Sequence, residues 1–139
     1  MADQVTQVLK ISHEKPPNWS RLVKQFDAKW GHVVVTYGDT CYCRDPLSAD
    51  LFVHETVHLH QQAEVGIEQW WERFYIEPAF RVQQELQAYR AQYRYLKQTV
   101  KDRNMILKHR DRISMVLSGK LYGNCITYHD AFKALEGKG

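Results

Sequence analysis

Cysteine is scarce in this 139-residue chain: there are three, and two of them, Cys41 and Cys43, stand too close together for an ordinary bridge. Three thiols cannot all pair with one another, which argues against a disulfide-built scaffold and for a reduced, intracellular-type protein. The opening "MADQVTQVLK" lacks the apolar stretch of an export signal. No apolar run approaches the roughly 20 residues of a helical membrane span. A cytoplasmic setting without a membrane partner is therefore expected. Nor is there a large excess of one charge; the chain is only mildly basic. Nineteen Lys and Arg against 16 Asp and Glu leave +3, which does not demand nucleic acid or an anionic surface as partner. Internal repeats and low-complexity segments are missing as well.

What is present is a hydrophobic content of 44% with 12% aromatics, enough for a folded core. The length predicts one domain over residues 1–139. "PPN", Pro16 to Asn18, reads as a stop followed by a helix N-cap, and Trp19, Leu22, Val23, Phe26 and Trp30 then follow helical spacing up to Gly31. "HVVVTYGDTCYCR" is two short β-branched and aromatic runs around Gly38-Asp39, the pattern of a hairpin. Pro46 and Ser48 open a helix that Gly66 ends, with Asp50 near its positive end. "IEQWWERFY" predicts a short helix or turn, and Pro78 a long helix striped by Leu86, Tyr89, Tyr93, Leu96 and Val100. A further helix covers roughly 102–117, Gly119 and Gly123 break the chain, and Thr127 to Leu135 form a last helix. The fold class is α+β, mostly helical with one small sheet.

The helix after Ser48 carries three histidines and a glutamate within the seven residues "HETVHLH". "HETVH" matches H-E-x-x-H, which puts His54 and His58 one turn apart on one helix face, where two imidazoles can reach one zinc ion. Glu55 points to the neighbouring side, toward a water rather than the metal. The bland alternative is a pair of surface histidines on an amphipathic helix. His60, two residues beyond His58, faces elsewhere. A metzincin continuation would need glycine where Gln61 stands and histidine where Glu64 stands, so that family is excluded. The third ligand is expected to be Glu85, beside the apolar stripe of the long helix "AFRVQQELQAYRAQYRYLK".

A strand pair, then "HETVH", then a glutamate helix with "QELQAY" resembles the gluzincin metallopeptidases, and especially their small single-domain forms, the minigluzincins. The likeness covers roughly residues 33–96. It implies a zincin-like domain with the hairpin edge packed on the H-E-x-x-H helix and a second, ligand-bearing helix. It implies Zn2+ held by His54, His58 and Glu85, Glu55 as general base, and a peptide or protein substrate laid on the hairpin strand that precedes the helix. That strand, Thr40, Cys41, Tyr42 and Cys43, mixes polar and apolar positions as an edge does, whereas Val33 to Val35 suits a buried strand. Larger gluzincins often carry aspartate four residues after the ligand glutamate; Tyr89 stands there, and Asp50 is a substitute candidate for orienting a zinc histidine. A donor for the oxyanion is expected downstream, from Tyr122 or from Tyr128-His129, with Tyr122 placed first.

Two other readings compete. A non-catalytic, metal-containing module that binds protein or nucleic acid would have no use for Glu55 beside an open metal position, and a structural zinc wants four protein ligands. A di-iron carboxylate bundle would need a second E-x-x-H, yet Ala88 follows Glu85 at that spacing. Cys41 and Cys43 share a strand face, which suits packing better than a second metal site. Gln61 and Gln62 could cap, bridge or touch substrate. The expectation is a zinc-dependent peptidase.

Overall fold

The computed structural model describes residues 8–137. The fold is α+β, mostly helical with one three-stranded sheet. The chain, expected from its length to be one domain over 1–139, holds two compact units, Met1–Trp70 and Trp71–Gly139. Residues 1–7 and 138–139 of that expected domain lie outside the described part.

In the first unit, β1 (Lys10–Ser12), β2 (Val35–Tyr37) and β3 (Thr40–Tyr42) make a sheet in the order β1-β3-β2. β2 and β3 are the predicted hairpin: Tyr37 pairs with Thr40 across the turn Gly38-Asp39. Gly38 has φ +65°, a left-handed conformation that glycine adopts without a Cβ penalty. β1 has no counterpart in the sequence expectation. At three residues it is too short to show an alternating pattern, and its existence depends on a partner about thirty residues downstream.

That strand overturns the edge position expected for Thr40 to Cys43. β1 pairs in parallel with β3, Lys10 opposite Thr40 and Ser12 opposite Tyr42, while β2 pairs with β3 on its other side. The Lys10 N–H donates to the Asp39 carbonyl over 2.8 Å, and the Cys43 N–H to the Ser12 carbonyl over 3.0 Å. β3 is thus the middle strand. With ladder partners on both sides, Thr40, Cys41, Tyr42 and Cys43 present no open edge to an added peptide. Cys41 and Cys43 are instead buried beside Leu9 and Leu59, the packing role expected of them. Burial, reinforced by the Glu55 carboxylate, pushes the Cys41 thiol far above its ordinary pKa. Burial raises that of Cys43 too.

Helix α1 (Trp19–Phe26) is shorter than its apolar spacing predicts. Asp27 turns left-handed at φ 54° and its N–H closes on the Val23 carbonyl, which ends the helix before Trp30. Trp30 meets Trp19 edge-to-face, ring centroids 5.5 Å apart, so the two share a contact but not a helix. Helix α2 (Ala49–Val65) opens after Ser48 with Asp50 in its first turn. Gly66, at φ +107°, ends it, and a side chain there would strike the Gln69 amide. Helix α3 (Ile67–Ile76) starts at once beyond it.

In the second unit, α4 (Pro78–Thr99) begins on its proline, whose missing N–H costs nothing in a first turn. Helix α5 (Arg103–Leu117) is capped by the Asp102 carboxylate, which accepts from the N–H groups of Asn104 and Met105. A 3-10 turn (Lys120–Tyr122) lies between the two chain-breaking glycines, and α6 (Tyr128–Leu135) follows, capped by Thr127. Tyr93, Ile113, Leu117, Tyr122 and Leu135 form the core, with Leu86 and Tyr89 of the predicted stripe packed against it. Arg81 is buried, and its guanidinium donates to the carbonyls of Phe74 (2.6 Å), Tyr75 (3.1 Å) and Leu121 (2.9 Å). Three carbonyl acceptors partner the Nε and Nη1 donors of this buried cation and anchor the 3-10 turn onto α4. No described helix is long and apolar enough to cross a membrane.

Candidate metal centre

The buried side of α2 is filled mostly by ionisable and amide side chains. His54, Glu55, His58, Gln61 and Gln62 are all buried. Buried polar groups persist only where they find partners, and each of these does.

His54 and His58, one turn apart, meet edge-on with ring centroids 4.9 Å apart. His58 also lies against Trp70, centroids 5.4 Å apart. Its Nδ1 is 2.8 Å from Gln61 Oε1. With that oxygen as acceptor, the bond requires the tautomer that carries its proton on Nδ1 and leaves the Nε2 lone pair open. Gln61, three residues on along the same helix, thus orients the His58 ring, a position to which the sequence alone assigns no role. His60 is exposed, as its spacing requires.

The Glu55 carboxylate is held by the neighbouring strand. Thr36 Oγ1 donates to Glu55 Oε1 over 2.8 Å, while Oε2 lies 3.8 Å from His54 Nε2. One oxygen is anchored to β2 and the other is turned toward the histidine side. Gln62, fully buried two turns further along α2, donates from Nε2 to the Thr36 carbonyl and accepts from the Gly38 N–H, both at 2.7 Å.

Glu85, half-buried on α4, accepts from the Tyr122 hydroxyl at Oε2 over 3.1 Å. Burial, then the Glu85 charge, holds the Tyr122 phenol well above its ordinary pKa, so it remains a donor. Tyr122, placed first for the oxyanion from its position between glycines, directs its hydroxyl proton at the Glu85 carboxylate in this structure. Tyr128, the other aromatic candidate, is exposed and donates to Asp111.

His54, His58 and Glu85 each offer one ligand atom, and these atoms all lie within 4.8 Å of one another. Neighbouring donors on a tetrahedral zinc stand roughly 3.3 Å apart at bond lengths near 2.0–2.1 Å. Two neutral imidazoles and a carboxylate are the donor set of an open zinc site. The set therefore fits a metal, and it is the one such grouping among the described residues.

Three members of this centre, His54, His58 and Glu85, are those that the sequence indicates, as is Glu55 beside the histidines. Thr36, Gln61 and Gln62 were not assigned roles. The i+3 spacing of His58 and Gln61 and the i+7 spacing of Glu55 and Gln62 are visible in the sequence. Thr36 carries no such signal, because its bond to Glu55 exists only once β2 lies on α2. No family model matches the chain, and no curated protein or solved structure matches it significantly.

Proposed function

We propose that this chain is a zinc-dependent peptidase of zincin-like build. The observation that carries the reading is the convergence of His54, His58 and Glu85 donor atoms. Glu55 is tethered beside the same histidines. A fourth protein ligand would speak for a structural ion, and none joins this group among the described residues.

A zinc ion held by the three ligands would acidify a bound water and polarise the scissile carbonyl. The chain's own groups do the rest. Glu55 takes the water proton on the oxygen turned toward His54 and passes it to the leaving amine. Gln61 holds His58 in the tautomer that leaves Nε2 basic, and Tyr122 holds Glu85. The peptide is assigned to β2 and no longer to β3, since β2 has a strand on one side only among the described residues. Along β2 the peptide must take the stretch leading up to Thr36, because Gln62 already bonds the Thr36 carbonyl and the Gly38 N–H.

Glu55→Gln tests the reading. The variant should keep its fold and its metal yet lose about 10²–10⁴-fold in cleavage of a broad peptide library. Equal cleavage by both proteins would remove Glu55 as the base. Cleavage by neither would favour a metal-containing binding module.

A further inference from the structure

We infer that Thr36 and Gln62 are positioning residues that hold the Glu55 carboxylate in the orientation its reaction needs; this rests on the peptidase reading. Glu55 and Gln62 are seven residues apart on α2, so both face β2, two turns from one another. Gln62 reaches across with both ends of its amide, donating to the Thr36 carbonyl and accepting from the Gly38 N–H at 2.7 Å each. A neighbouring strand would engage the same two main-chain groups, so the side chain stands in for one and locks β2 to the helix in a single register. That register brings Thr36 Oγ1 to Glu55 Oε1 at 2.8 Å. A shift of one residue would replace Thr36 with Val35 or Tyr37, and the short hydroxyl of threonine would be lost to the carboxylate.

Burial makes the arrangement stiff. Thr36 is 2% exposed, Glu55 4% and Gln62 0%, so no bulk water competes for these bonds. A hydrogen bond to one carboxylate oxygen fixes the rotation about the terminal side-chain torsion, which is otherwise broad. The second oxygen is then aimed at one place, on the His54 side. Orientation of a base contributes to the rate only through geometry in the transition state, so its loss should lower kcat while leaving KM alone.

The experiment uses four zinc-loaded proteins: wild type, Thr36→Val, Thr36→Ser and Gln62→Met. A library-selected peptide gives kcat and KM, crystal structures give the Glu55 orientation, and amide exchange gives the protection of Gly38. Thr36→Val, equal in shape, should lose about 10–100-fold in kcat at unchanged KM and zinc content. Its Glu55 should leave the wild-type orientation, and Thr36→Ser should restore both. Gln62→Met should lose the protection at Gly38. An unmoved Glu55 in Thr36→Val, a fall in kcat under about twofold, or unchanged exchange at Gly38 in Gln62→Met would each overturn the inference. If wild type cuts no peptide, the peptidase reading fails by itself, and the tether is then decided by the Glu55 orientation and the Gly38 exchange.

Discussion

Tyr122 donates its hydroxyl to Oε2 of Glu85 across 3.1 Å, and the ring that carries it is almost wholly buried in the core of the second unit. A carboxylate so held has one oxygen occupied and its rotamer restricted. Removing only the hydroxyl isolates that effect. Tyr122→Phe should keep the packing, cost about 1 kcal/mol of stability and weaken zinc binding about 10–100-fold. Chelator competition measures the affinity. An unchanged value would show that the phenol supports the core and not the ligand.

Gln61 does for His58 what Tyr122 does for Glu85. In Gln61→Leu the acceptor for Nδ1 is lost while the helix and its volume are kept. Zinc affinity should again fall about 10–100-fold, and Gln61→Glu should recover it, because a carboxylate accepts the same proton more strongly. If the leucine variant binds zinc as tightly as wild type, the ring is oriented by its packing against His54 and Trp70 and not by Gln61.

The thiols differ in reach. Cys125 is exposed, whereas Cys41 and Cys43 are buried with their pKa values raised. Alkylation of native protein near neutral pH should modify Cys125, and the other two only after denaturation. Peptide mass spectrometry reads the sites. Comparable labelling of Cys41 in native protein would mean that the middle strand opens readily.

Glu136 sets a small acid sensitivity in the second unit. Its carboxylate accepts from Lys97 Nζ at 3.0 Å and lies 3.8 Å from Arg110 Nη1. The Lys97 bond, then one from Tyr93, holds its pKa below the ordinary 4.5. A depressed folded value means that the stabilisation is present in full above the unfolded pKa and is lost as pH falls through the folded one. Both partners are more than a third exposed, so solvent screening limits the pair to about 0.2–1 kcal/mol. Glu136→Gln should therefore be slightly less stable than wild type at neutral pH and equal to it once the pH lies below the lowered value. Denaturant unfolding at the two pH values checks this, and a difference that persists in acid would assign the effect to packing.

How much of this was legible in the sequence depended on the range of the interaction involved. Helical spacing alone put His54 and His58 on one face and His60 on another, since every residue on a helix advances by a fixed angle. The hairpin was legible because Gly38-Asp39 is local turn chemistry between two β-branched and aromatic runs. The helix starts at Pro78 and after Asp102 and Thr127 were legible for the same reason. The end of α1 was not, because an aspartate can take the left-handed conformation without any warning in the apolar spacing.

The tertiary structure decided what local pattern could not. Whether Thr40 to Cys43 formed an edge depended on β1, three residues whose pairing is paid for by contacts thirty residues away. The jobs of Thr36, Gln62 and Tyr122 depended on which acceptor each met: a carboxylate nineteen residues along for Thr36, a carbonyl 26 back for Gln62 and a glutamate 37 back for Tyr122. A polar side chain in isolation has many possible partners. Burial removes water as one of them and leaves only the groups that the fold has brought within reach.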